Sequence, residues 1–386
     1  MMPADFATSI LLCLPPLLVA LAMAKWLPST ATATTGKIEP IEGLRGFLAF
    51  FVFLHHAYIW YGFNHTGQWQ EPNSILFLEF GKSGVALFFM ITGFLFFSKI
   101  LDTQRSINWA KLFVGRLARL APLYLFAMAL LFATVILRSR FMLNEPPVRV
   151  IGEMMDWLAF TIPGAPNING IERTTAIMAG VTWTLPYEWF FYLLLPLMAL
   201  SLRSCVIPPA WATGLAAAGF VGLVLWGPAT TDLIPFASGM IAAVIAKFKR
   251  TRDMAQKYAS LGFGFGIAAF LTPPSSIQML LLTLFFITVA CGNSLMGLLT
   301  TSPALQMGRM AYSLYLLHGF LLYSIFTGPL RTATNSVGAY WTVVTLSSAV
   351  LVILCHASYR HIELRGMWLP QRLHPLFQKP AINPTA

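Results

Sequence analysis

Eleven stretches of this chain are mostly apolar runs of fifteen to twenty-three residues: 6–27, 44–63, 82–100, 118–138, 183–201, 210–227, 232–248, 258–272, 276–291, 310–327 and 337–359. About twenty such residues cross a ~30 Å hydrocarbon core as a helix. In lipid only helices and closed barrels satisfy their own backbone groups, and these runs lack the alternation of barrel strands. The expected fold class is therefore all-α, a polytopic membrane helical bundle of about eleven transmembrane helices. Only 10% of the 386 residues are charged, against about 25% in soluble domains, which excludes an ordinary soluble enzyme.

The net charge of +11 invites a nucleic-acid reading, but its distribution fits membrane topology better, and no nucleic acid is expected. With the N-terminus outside and the C-terminus inside, 19 of the 25 Lys and Arg residues fall on the cytoplasmic side of eleven spans, as the positive-inside rule requires. The expected location is the cytoplasmic (inner) membrane. Residues 1–36 read as an N-terminal transmembrane helix and linker, 37–370 as the membrane domain and 371–386 as a cytoplasmic tail. Ala31-Thr32-Ala33 has the look of a signal cleavage site, but the first run is long and no basic residue precedes it, so it reads as a retained helix. Within the polar loop 139–182, Val150–Phe160 reads as a short interfacial helix. The four cysteines (Cys13, Cys205, Cys291, Cys355) are scattered among apolar residues, with no metal spacing and no disulfide framework.

Ionisable groups inside the spans carry the functional signal, because they are costly there. Arg45 and His56 lie eleven residues apart on one helical face, ~16 Å along the axis. An imidazole near mid-membrane suits a general base. His55 points about 100° round the helix from it. Arg116 and Arg119, at i and i+3, share a face at the cytoplasmic end of their span. As topology anchors they need no further role; as paired guanidinium forks beside Arg45 they suit the phosphates of a cytosolic cofactor. Glu188 lies about a turn and a half inside its span and needs a cationic partner or an acceptor-site role. Tyr315 and His318 form a polar i, i+3 face, for which structural hydrogen bonding is the plainer reading. Glu363, just past the last span, is placed to meet the arginines.

These residues sit in motifs that resemble the acyltransferase-3 family of integral-membrane acyltransferases. Gly43-Leu44-Arg45-Gly46 through His56 looks like its Arg-x10-His motif. Gly84-Val85 to Phe88-Phe89 with Thr92-Gly93-Phe94 is similar to its Gly-Val-Asp-x-Phe-Phe…Ser-Gly-Phe segment. Arg116-x-x-Arg119 followed by Pro122 and Tyr124 resembles the paired-arginine motif. Trp183-Thr184-Leu185 with Glu188 and Phe191-Tyr192, then Tyr312-Ser313-Leu314-Tyr315-Leu316-Leu317-His318, match two further segments. The chain departs from the family at Ala86 and Thr92, where many members carry aspartate and serine. The family core has about ten spans, so the 6–27 helix is an addition.

The resemblance implies transfer of an acyl group, commonly acetyl from acetyl-CoA, to a hydroxyl of a surface polysaccharide, lipid-linked saccharide or glycolipid. Expected catalytic residues are His56, Arg45 and Glu188. Expected donor-binding residues are Arg116, Arg119, His318 and Glu363. The expected partners are acyl-CoA, a carbohydrate or glycolipid acceptor, and membrane lipid, with no metal. The competing reading is a proton-coupled transporter or flippase for a glycolipid or anionic substrate, which buried His, Glu and Arg also suit. The absence of an internal repeat counts against it.

Overall fold

The computed structural model describes residues 5–28, 38–102, 107–201, 209–227, 230–328 and 336–367. Cys205, most of the 28–36 linker and the 371–386 tail lie outside these. The described residues form fourteen α-helices and no strand. In chain order these are α1 (Phe6–Trp26), α2 (Glu39–Thr66), α3 (Ile75–Asp102), α4 (Trp109–Arg138), α5 (Pro147–Leu158), α6 (Thr184–Ser201), α7 (Ala210–Trp226), α8 (Ile234–Ile245), α9 (Lys249–Lys257), α10 (Ala259–Leu271), α11 (Ser276–Ala290), α12 (Ser302–Arg309), α13 (Ala311–Thr327) and α14 (Val337–Ser358). The chain is thus an all-α membrane bundle, and each apolar run of the sequence is helical.

Local chemistry sets the ends of these helices. Asp5 caps α1 by accepting the Thr8 N–H at 2.8 Å, and Asn108 caps α4 through the Lys111 N–H at 2.9 Å. Pro40 and the acidic Glu39 and Glu42 sit in the first turn of α2, where a missing N–H is harmless and negative charge meets the helix dipole. Gly67, left-handed at φ 71°, ends it.

Among the described residues, five helices are long and apolar enough to cross a membrane: α1, α2, α3, α4 and α14 with its continuation to Met367. The pair α12 and α13 makes a sixth candidate, bent by 72° at its break. Helices α7, α8, α10 and α11 are apolar but shorter. At 12 residues, α8 rises only ~18 Å, well below a ~30 Å core. Length therefore supports fewer full crossings than the eleven runs predict. The breaks follow Gly and Pro: left-handed Gly227 closes α7, and Pro235 opens α8.

Glycines bring the central helices together. Gly93 of α3 lies against the Phe236 carbonyl of α8, and Gly239 of α8 lies against the Met90 carbonyl of α3, so a β-carbon at either would overlap backbone. Gly43 and Gly46 press α2 in the same way onto Leu299 and Gly308. Small residues at such contacts let helix backbones approach closely in lipid. Arg45, between those two glycines, is left to project from another face of α2.

The long polar segment after α4 is folded rather than draped. Helix α5 covers most of the expected interfacial helix. Buried Trp157 donates to the Pro166 carbonyl at 2.9 Å, and the Tyr124 hydroxyl donates to the Trp157 carbonyl. Asn169 ties the segment's ends: it accepts the Asn144 N–H at 2.7 Å, donates to the Met142 carbonyl at 2.8 Å, and its backbone N–H bonds Glu153 at 3.0 Å. Two short 3₁₀ turns, Thr174–Met178 and Val181–Trp183, follow. The chain at Met178 packs on Gly319, in the middle of α13.

Candidate active site

Five helices converge on one cavity of about 100 Å³. Helix α2 contributes Arg45, α4 contributes Arg116 and Arg119, α6 contributes Glu188 and Tyr192, and α13 contributes Tyr312 and Tyr315. Val85, Phe88, Phe89, Thr92 and Phe96 of α3 form an apolar wall. Arg45 lies 3.8 Å from Glu42, one turn back on its own helix. The Arg116 guanidinium sits over the Phe96 ring at 4.3 Å and the Tyr192 ring at 5.5 Å. A guanidinium held on aromatic faces keeps its N–H edge available for an anion. Glu188 accepts a hydrogen bond from the Tyr192 hydroxyl at 2.7 Å. Tyr312 donates to the Leu120 carbonyl at 3.1 Å and Tyr315 to the Val181 carbonyl at 3.0 Å, so backbone bonds hold both rings in place.

Of the residues expected from the sequence, Arg45, Arg116, Arg119 and Glu188 therefore share this cavity. His56 and His318 do not line it; they form a pair of their own. His318 Nε2 lies 3.1 Å from His56 Nδ1. His318 Nδ1 lies 2.9 Å from the Leu314 carbonyl, and His56 Nδ1 lies 2.9 Å from the Val52 carbonyl. Carbonyl oxygens only accept, so both Nδ1 atoms carry hydrogen in the neutral pair. This network assigns the tautomers: His318 Nε2 accepts from His56 Nδ1–H, and His56 Nε2 keeps a free lone pair. His318 is fully buried, whereas His56 is half-buried beside Trp69 and His55. The Tyr315 ring lies between the two sites, 5.9 Å from Phe88 in the cavity wall and 6.2 Å from His318.

Glu363 is also outside the cavity lining. It is buried in a π-turn, Tyr359–Glu363, that continues α14, and it accepts from the Ser313 hydroxyl of α13. Ser313 adjoins Tyr312, so Glu363 braces the helix that carries one cavity wall. Sequence reasoning missed Tyr192, Tyr312 and Phe96 as parts of the site. Tyr192 had a signal, since it follows Glu188 by one helical turn.

Helices of membrane-crossing length around a cation-lined cavity define a multi-pass membrane protein. The family model described as an acyltransferase domain matches residues 38–360, a span that holds the arginine cavity and the histidine pair. The chain belongs to the acyltransferase-3 family. Nodulation protein 10 of Rhizobium leguminosarum bv. viciae is 30% identical over 179 residues, which cover 43% of this chain and 45% of that protein. The chain thus spans less than half the length of this relative. No solved structure matches the chain significantly.

Proposed function

We propose that the protein is a membrane-bound O-acyltransferase that uses acyl-CoA, with acetyl the transferred group. The acceptor in this reading is a sugar hydroxyl of a surface polysaccharide, lipid-linked saccharide or glycolipid. The observation that carries it is the set of three guanidinium groups facing one cavity against Glu188 in the same lining, an excess of positive charge that an anion of several charges would balance. Coenzyme A carries such charge in its phosphates. The charge distribution along the sequence supports a cytosolic mouth for this cavity, an inner-membrane location and an N-out, C-in chain.

Spacing divides the labour between Arg45 and His56. They stand ~16 Å apart on α2, so the phosphates and the thioester of one donor would occupy different parts of the path. In this reading Arg45, Arg116 and Arg119 hold the phosphate end, and the pantetheine arm runs past Tyr315 towards the histidines. His56 Nε2 takes the proton of the acceptor hydroxyl as its oxygen attacks the thioester carbonyl. Collapse of the tetrahedral intermediate breaks the C–S bond, and the thiolate leaves with the proton held by His56.

The test uses purified full-length protein, acetyl-CoA labelled in the acetyl group, and the saccharide and glycolipid fraction of cells that lack this gene. Label is expected to enter that fraction. His56→Ala is expected to reduce transfer by a factor on the order of 10² or more, with the protein still accumulating in the membrane. Undiminished transfer by His56→Ala removes His56 as the base. Substrate uptake into vesicles without label transfer would favour the transport reading.

A further inference from the structure

A second cavity, of about 790 Å³, lies towards the other end of α2 and α3. It shares Val85 and Phe89 with the arginine cavity, so the two adjoin across those side chains. From there the arginine cavity follows α3 down to Phe96, whereas the second cavity follows it up to Gly81. None of the arginines lines it.

Its lining has the chemistry of a sugar site. Trp183 contributes an exposed aromatic face, 46% accessible. Asp232 accepts from the Tyr187 hydroxyl at 2.9 Å, which fixes the carboxylate and leaves acceptor capacity for a second donor. Both amide hydrogens of Gln278 are directed to polar partners, one to buried Glu79 and one to Ser83 at 3.0 Å. The carbonyl oxygen of that side chain is left for the cavity. His55 Nδ1 bonds the Phe77 carbonyl at 2.7 Å, so its Nε2 keeps a lone pair. The His55 ring packs directly over Gly81, where any β-carbon would displace it. Glu71 and Lys82 neutralise each other across the cavity at 2.8 Å. The cavity therefore offers several fixed hydrogen-bond acceptors, an aromatic platform and no unbalanced cation cluster. Such a set suits a ligand rich in hydroxyl donors with an apolar ring face, and does not suit a polyphosphate.

We propose that this second cavity is the acceptor site and binds the saccharide portion of the acyl acceptor. Its ring stacks on Trp183, and its hydroxyls reach Asp232, Gln278 and His55. Donor and acceptor then approach from opposite ends of α2 and meet near the adjacent His55 and His56. The proposal rests on the acyl-transfer reading above and adds the class and location of the second substrate.

The test measures two quantities on the same purified full-length variants: the KM for the saccharide fraction of gene-deleted cells, and the Kd for CoA by calorimetry. Trp183→Leu and Asp232→Asn are each expected to raise the acceptor KM by about tenfold or more, with the CoA Kd unchanged. Thr231→Trp, an exposed position at the cavity wall, is expected to act in the same direction by filling space. CoA binding by each variant shows that it has folded. An unchanged acceptor KM in all three variants overturns the site, as does a rise confined to the CoA Kd. Absence of label transfer by the wild-type protein removes the acyl-transfer reading itself, and this site with it.

Discussion

His56 and His318 meet through a single hydrogen at His56 Nδ1, across 262 positions of sequence. In the proposed reaction that bond decides which nitrogen of His56 would take the proton, because it commits Nδ1–H and leaves Nε2 open. We propose that His318 positions His56 rather than holding the donor. A structural prediction follows for His318→Phe, which keeps the ring but cannot accept. Its kcat is expected to drop on the order of 10²-fold while the KM for acetyl-CoA stays within about twofold of the wild type. A raised KM with unchanged kcat would return His318 to the donor site, where sequence reasoning had placed it. The arginines and Glu188 were legible from the sequence for a physical reason: a charge inside a span needs compensation, and these four residues have few other groups to find. The histidine pairing was not legible, because nothing local to either residue specifies the other.

Among the elements, helix identity followed from apolar run length. Two things did not follow. One is the number of full crossings, because several runs form single helices shorter than a ~30 Å core needs. The segment after α4 read as a loop with one interfacial helix, yet it folds around Trp157 and Asn169. Within the segment its bonds join side chains to backbone groups up to 27 positions apart, which no periodicity reports. The α3–α8 contact gives a test at this scale. Gly93→Val places a branched side chain against the Phe236 carbonyl, and overpacking of this kind costs about 1–3 kcal/mol. A lower thermal midpoint of the detergent-purified protein is the expected outcome; an unchanged midpoint would mean that the two helices separate freely. The motif glycines at 43, 46 and 93 thus have a packing role, and the chemistry belongs to the residues between and beyond them.

For the whole molecule, the family match over 38–360 agrees with the resemblance that five short motifs carried. The sequence marked the cavity's arginines by their charge. It did not show the second cavity, because that cavity is assembled from loop and helix-end residues such as Glu71, Trp183, Asp232 and Gln278, which are ordinary polar residues until the fold collects them. The division of the interior by Val85 and Phe89 has a kinetic consequence. If each substrate has its own way in, neither blocks the other, and the order of addition is random. Initial-rate plots at several acceptor concentrations are expected to intersect rather than run parallel. Free CoA is expected to inhibit competitively against acetyl-CoA and noncompetitively against the saccharide. Parallel lines would instead point to a covalent acyl-enzyme that sheds CoA before the saccharide binds, and would make the partition a gate between two half-reactions instead of a wall between two simultaneous guests.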